Sequence, residues 1–123
     1  MTTRLLLVDD HAVVRSGLRM LLENEHEIEI VGEAGNAAEA IEAATRLKPN
    51  LILMDIGLPD LSGIDATREI KKRLPEVSIV ALTIHEDEEY FFKMLEAGAS
   101  GYVPKRAAPE ELLTAIRAAA KGE

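Results

Sequence analysis

Asp9 and Asp10 directly follow the apolar run Leu5-Leu6-Leu7-Val8, and Asp55 directly follows Leu51-Ile52-Leu53-Met54. A short apolar run that stops at an acid reads as a buried parallel strand, and parallel strands bring their carboxyl ends to one edge of a sheet. Asp9, Asp10 and Asp55 are therefore expected in one crevice. Carboxylates held together repel and raise one another's pKa, so such a cluster implies a bound cation. The function is expected to lie there.

The elements that must deliver these acids are legible along the chain. Val13, Val14, Leu18, Leu21 and Leu22 recur at helical spacing after Asp10, and Ile28, Ile30 and Gly32 then alternate with glutamates in a short strand expected near the sheet edge. Asn36 with Glu39 resembles a capping box, opening a helix with Ile41, Ala44 and Leu47 that stops before Pro49. The strand 51–54 ends at Asp55. Residues 56–63, rich in turn formers, make a loop beside the acids. Ile64, Thr67, Ile70 and Leu74 mark a third helix, Val77 to Leu82 a strand ended by Thr83, and Phe91, Met94 and Leu95 a fourth helix closed by Gly98. Gly101-Tyr102-Val103 is a fifth strand. Pro109-Glu110-Glu111 suits a first helical turn, and Leu112, Leu113, Ile116 and Ala120 give the last helix its apolar stripe. Strand and helix alternate throughout, which predicts a doubly wound α/β domain.

Composition narrows the rest. The 123 residues suit one domain, and a net charge of −8 without a Lys/Arg run disfavours nucleic-acid binding by this chain itself. Cysteine is absent, and His11, His26 and His85 show no metal-ligand spacing. No stretch resembles a membrane span or a signal peptide, so a soluble, cytoplasmic chain with no membrane partner is expected. The ending Ala118-Ala119-Ala120-Lys121-Gly122-Glu123 reads as a helix running out rather than a domain finishing, as in a piece of something longer.

Four segments occur in an order that identifies a family: Leu7-Val8-Asp9-Asp10-His11, Met54-Asp55-Ile56-Gly57-Leu58-Pro59, Ala81-Leu82-Thr83, and Gly98-Ala99-Ser100-Gly101-Tyr102-Val103-Pro104-Lys105. Over residues 1–123 the chain resembles the receiver domain of bacterial two-component response regulators, and most of all the NarL/FixJ type. The resemblance implies a flavodoxin-like, five-stranded parallel sheet of order 2-1-3-4-5 flanked by five helices, whose switch point lies between the first and third strands. It also implies that Asp55 accepts a phosphoryl group from a sensor histidine kinase. Mg²⁺ would be bound by Asp10, Asp55 and the carbonyl of Gly57, with Asp9 acting through water. Lys105 and Thr83 would contact the phosphoryl oxygens, and Thr83 moving inward would let Tyr102 follow, changing the surface of the fourth helix, fifth strand and fifth helix. Such a domain is a signalling element rather than an enzyme, assisting only its own phosphorylation and autodephosphorylation. Its output in this subfamily is transcriptional, through a C-terminal helix-turn-helix DNA-binding domain absent from this chain, and homodimerisation on phosphorylation is expected, with exposed side chains such as Phe92 on the switch surface.

Each residue also has a plainer reading. Asp10 could cap the first helix, Asp55 could be a turn residue, Thr83 and Tyr102 could be packing choices and Lys105 a solvated lysine. Their joint placement favours a site. His85, two positions past Thr83, is expected with Gly57 to tune the lifetime of the phosphorylated form. Two departures from the wider family stand out: Arg106 follows Lys105 where many receivers have proline, which favours a trans peptide, and Ala107 and Ala108 offer the last helix no cap. Among other functions, a haloacid-dehalogenase-type phosphohydrolase needs two aspartates separated by one residue, which Asp9-Asp10-His11-Ala12 does not provide. A nucleotide- or flavin-binding module needs glycines where the first turn has acids. A stand-alone or phosphorylation-independent receiver-fold interaction module remains as the alternative.

Overall fold

The structure, a computed structural model, describes residues 2–83, 88–105 and 109–122. Its elements run β1 (Thr3–Val8), α1 (Ala12–Glu23), β2 (Ile28–Ala34), α2 (Ala37–Leu47), β3 (Leu51–Asp55), α3 (Gly63–Arg73), β4 (Ser78–Thr83), α4 (Glu88–Ala97), β5 (Gly101–Pro104) and α5 (Pro109–Ala120). The strands form one sheet in the order β2-β1-β3-β4-β5, and every neighbouring pair is parallel. This is the expected doubly wound architecture.

Alternation along each strand divides the core into two layers. Leu6, Val8, Ile52, Met54, Ile79 and Ala81 face α2, α3 and α4, whereas Leu5, Leu7, Leu51, Leu53, Val80 and Leu82 face α1 and α5. Residues buried on both faces explain why β1, β3 and β4 read as continuous apolar runs. The chain order reverses between β1 and β3, and ligands on open α/β sheets bind beyond the carboxyl ends at such a point.

Several sequence expectations need correction. Ile28, Ile30 and Gly32 do not share one face of β2: Leu5 pairs with Ile30 but Leu6 with Gly32, so Val31 is an extra residue. Ile28 and Ile30 accordingly join the α1/α5 layer while Ala34 joins the other, because a bulge shifts the alternation by one. Val13 is 84% exposed, and α1 is anchored instead by Leu22 with Leu18 and Leu21. Phe91 and Leu95 stand partly in solvent, leaving Met94 and Ala97 as the buried positions of α4. In α5 the stripe is Leu112, Ile116 and Ala119, with Ala120 outside it.

The helix ends are fixed locally. Asn36 accepts the Glu39 N–H at 2.8 Å, while the Glu39 carboxylate accepts the Gly35 N–H at 2.9 Å, one residue further out than a strict capping box. Lys48 ends α2 in the left-handed region at φ 49°, and Gly98 follows α4 at φ 110°. Ser62, within the segment expected as loop, caps α3 by accepting the Asp65 N–H at 3.2 Å.

Candidate functional site

Asp9 and Asp55 are brought together by register. Val8 pairs with Met54, so the residues after each are neighbours at the same sheet edge. Asp55 in turn pairs with Leu82, next to Thr83, and Thr83 pairs with Pro104, next to Lys105. Four parallel strand ends thus bring Asp9, Asp55, Thr83 and Lys105 to the switch-point end of the sheet.

The contacts are those of a charged cluster with little water. Asp9 is 1% and Asp55 4% exposed, while Asp10 stands at the rim. The Lys105 ammonium lies 2.8 Å from Asp9 Oδ2 and 3.3 Å from Asp55 Oδ2. Asp55 Oδ1 accepts the Gly57 N–H at 3.0 Å, and Asp9 Oδ1 accepts the His11 N–H at 2.8 Å. Burial pushes the Asp55 carboxyl above its ordinary pKa, and the charge of Asp9 adds to this; the Gly57 N–H and Lys105 oppose the rise without cancelling it. Burial alone would lower the Lys105 pKa, but the hydrogen bond to Asp9 and the charge of Asp55 hold it above its ordinary value.

Thr83 is 1% exposed and its carbonyl accepts the Lys105 backbone N–H at 2.8 Å. Tyr102 is half-buried on the α4 side of the sheet, its ring edge-on to Phe91 with centroids 5.4 Å apart. Asp10 is not the cap of α1; His11 occupies that position. The structure therefore gathers Asp9, Asp10, Asp55, Gly57, Thr83 and Lys105 as expected from the sequence. His85, Arg106, Ala107 and Ala108, with the lifetime, peptide-bond and capping expectations attached to them, lie outside the described residues.

The donor set suits a hard cation. Among the described residues, Asp9, Asp10, His11 and Asp55 each place a ligand atom within 4.8 Å of the others, and the carboxylate oxygens are those Mg²⁺ prefers. A cleft of about 1090 Å³ opens at the opposite end of the sheet, lined by Thr3, Asn50, Ser78 and Arg117 among others, away from the acids.

Sequence reasoning missed three supports. Arg15 donates to the carbonyl oxygen of Asp9 and, at 3.0 Å, to Glu33, which also accepts Arg19 at 2.7 Å. Burial acts to raise the Glu33 pKa, but the two arginines hold it below its ordinary value. The four-residue spacing of Arg15 and Arg19 was the available signal; the partner across β2 was not. Asp60, in the β3–α3 loop, accepts the Ala37 and Ala38 N–H groups at 2.8 and 3.1 Å, capping α2 from a distance and holding its own carboxyl below the usual range. Gly63 lies so close to the strand end that a Cβ there would fall 2.2 Å from the Asp55 carbonyl oxygen.

Comparison with known proteins gives this geometry a family. The response regulator receiver domain profile matches residues 5–117. The chain is 45% identical over 120 residues to the uncharacterized transcriptional regulatory protein YxjL of Bacillus subtilis (strain 168), covering 98% of this chain and 55% of that protein. It is 43% identical over 121 residues to the oxygen regulatory protein NreC of Staphylococcus aureus (strain JH9), covering 98% of this chain and 56% of NreC. It thus spans about half the length of these curated relatives. A LuxR-family two-component response regulator from Aurantimonas sp. SI85-9A1 superimposes with a TM-score of 0.96 at 41% identity, over 100% of this chain and 88% of that one. Among the described residues no helix is long and apolar enough to cross a membrane. The chain belongs to the response regulator receiver domain family, as a receiver of the LuxR, or NarL/FixJ, type.

Proposed function

We propose that Asp55 is a phosphoacceptor. The observation that carries this reading is the environment of its carboxylate: nearly buried, with the Gly57 N–H at 3.0 Å from one oxygen, Lys105 at 3.3 Å from the other and two further acids alongside. A carboxylate attacking an anionic phosphoryl group needs charge neutralisation and in-line positioning more than proton transfer. An Asp55 oxygen forms a bond to phosphorus as the phosphorus–nitrogen bond of a kinase phosphohistidine breaks, and the imidazole nitrogen leaves with the electron pair. The product is an acyl phosphate.

Asp10, Asp55 and the Gly57 carbonyl would hold Mg²⁺, with Asp9 acting through water. Bound there, the ion supplies positive charge to the phosphoryl oxygens and to the crowded acids. Lys105 supplies a second positive charge, 2.8 Å from Asp9 and 3.3 Å from Asp55, and the Thr83 hydroxyl would donate to a phosphoryl oxygen. Receiver kinship and the four strand ends support these roles. Once formed, the aspartyl phosphate draws Thr83 inward and Tyr102 after it, altering the α4, β5 and α5 surface. A water oxygen then bonds to phosphorus as the aspartyl oxygen–phosphorus bond breaks, releasing inorganic phosphate and returning Asp55 to the carboxylate, as autodephosphorylation.

The sensor kinase is the partner of the first step, in the cytoplasm. The output is transcription, read by a C-terminal helix-turn-helix DNA-binding domain beyond this chain; the relatives' greater length and the regulatory names of YxjL and NreC support that. Phe92, 54% exposed on α4, offers a surface for a second copy on phosphorylation. Incubation with Mg²⁺ and acetyl phosphate, followed by intact-mass spectrometry, tests the proposal. The parent gains one phosphoryl group and Asp55→Asn gains none. Equal gain by both, or none by the parent, overturns it, and an unchanged molecular mass with beryllofluoride counts against the dimer.

A further inference from the structure

Among the described residues that cluster at the site, His11 is left unused by the proposed phosphoryl chemistry. It occupies the N-cap position of α1 with an extended backbone (φ −100°, ψ 111°), yet its side chain makes no capping hydrogen bond. The imidazole turns instead toward the acids, Nδ1 lying 3.1 Å from Asp10 Oδ1 and 3.3 Å from Asp9 Oδ1. Adjacent ligands of an octahedral ion bound at about 2.1–2.2 Å are about 3.0 Å apart, so the 3.1 Å separation from Asp10, a direct ligand in the proposed site, is close to that of donors sharing one ion. The ring is 65% exposed and can turn onto an ion without disrupting packed core.

Charge favours the same arrangement. Lys105 and one divalent cation together balance the three carboxylates, which leaves room for a neutral donor but gives no reason for another cation. A neutral imidazole is such a donor. It also changes which ion is preferred: Mg²⁺ takes oxygen ligands and sheds water reluctantly, whereas imidazole suits the first-row transition ions.

We propose that His11 is a nitrogen ligand at this site and shifts its preference from Mg²⁺ toward divalent transition ions of the Mn²⁺ to Zn²⁺ series. The inference rests on the reading that the carboxylates hold a metal, and its test separates the two. Metal-free protein, full chain and unphosphorylated, is loaded with Mn²⁺ and examined by pulsed EPR for ¹⁴N coupling, with ¹⁵N-histidine labelling to assign it. Zn²⁺ and Mg²⁺ affinities are measured by calorimetry on the parent and His11→Ala. The parent shows histidine nitrogen coupling that His11→Ala lacks, and the substitution weakens Zn²⁺ by about tenfold or more while Mg²⁺ changes less than about twofold. Metal binding without nitrogen coupling, or an equal loss for both ions, overturns the role of His11 alone. Failure of the folded parent to bind any of the three ions overturns both readings.

Discussion

Lys105 donates its backbone N–H to the carbonyl oxygen of Thr83 at 2.8 Å. The same residue extends its ammonium to Asp9 at 2.8 Å and Asp55 at 3.3 Å, so one backbone bond at the β4–β5 edge sets the position of the cluster's cation. Any movement at Thr83 is thereby coupled to the charge that faces Asp55.

Removing that cation leaves two buried carboxylates facing each other. Lys105→Ala is expected to lose about 1–2 kcal/mol at pH 7, less than a fully buried pair because the lysine keeps some contact with water. Millimolar Mg²⁺ restores part of the loss by replacing the missing charge. Chemical denaturation with and without Mg²⁺ checks both statements, and a variant as stable as the parent without metal would contradict them.

The Asp55 pKa, raised by burial, gives stability a definite pH dependence. Below the ordinary carboxylate range near about 4, Asp55 is protonated in folded and unfolded chains alike and has no differential effect. As pH rises through the higher folded-state pKa, the unfolded chain has already released its proton, and the native state loses relative stability. Asp55→Asn is therefore expected to raise the thermal midpoint at pH 7, with the gain shrinking toward about pH 3.5. A lower midpoint than the parent at pH 7 would contradict the sign.

Two glycines should respond oppositely to alanine. At Gly63 a Cβ would meet the Asp55 carbonyl oxygen at 2.2 Å and Ile56 Cα at 2.7 Å, both backbone atoms, so Gly63→Ala is expected to cost about 2–3 kcal/mol. At Gly17, inside α1, a Cβ meets nothing within 4 Å, and Gly17→Ala should gain about 0.5–1 kcal/mol. Urea unfolding of the pair measures the contrast, and equal effects would count against the packing at Asp55.

If the proposed switch operates, the Tyr102 ring is expected to report it. Adding beryllofluoride and Mg²⁺ is expected to shift its ring resonances in NMR spectra of the parent but not of Asp55→Asn. Phe91→Ala removes the edge-on contact seen at 5.4 Å, worth about 1 kcal/mol, and should move the same resonances before any addition. Unmoved Tyr102 signals in the parent would separate this ring from the response.

Much of this site was legible because β1, β3 and β4 are buried on both faces, so their apolar runs mark strand ends directly and place Asp9, Asp55 and Thr83. What stayed hidden depended on geometry that pattern does not encode. The Val31 bulge reverses which face Gly32 and Ala34 meet, although the alternation of letters continues unbroken. In α2 the sequence marks Ala44, but Ala37, Ala40 and Ala43, buried as well, are small residues that a search for large apolar ones passes over. Asp60 caps a helix more than twenty positions earlier in the chain, and the His11 ring joins the acids through its backbone angle rather than through any histidine spacing.

The position of the phosphoryl group is the central claim. After reaction with Mg²⁺ and acetyl phosphate, borohydride reduction converts an aspartyl phosphate to homoserine, which peptide sequencing by mass spectrometry locates. Conversion at Asp55 with Asp9, Asp10 and Asp60 intact is the predicted result. Conversion at another carboxylate, or at none while the protein remains folded, would contradict it.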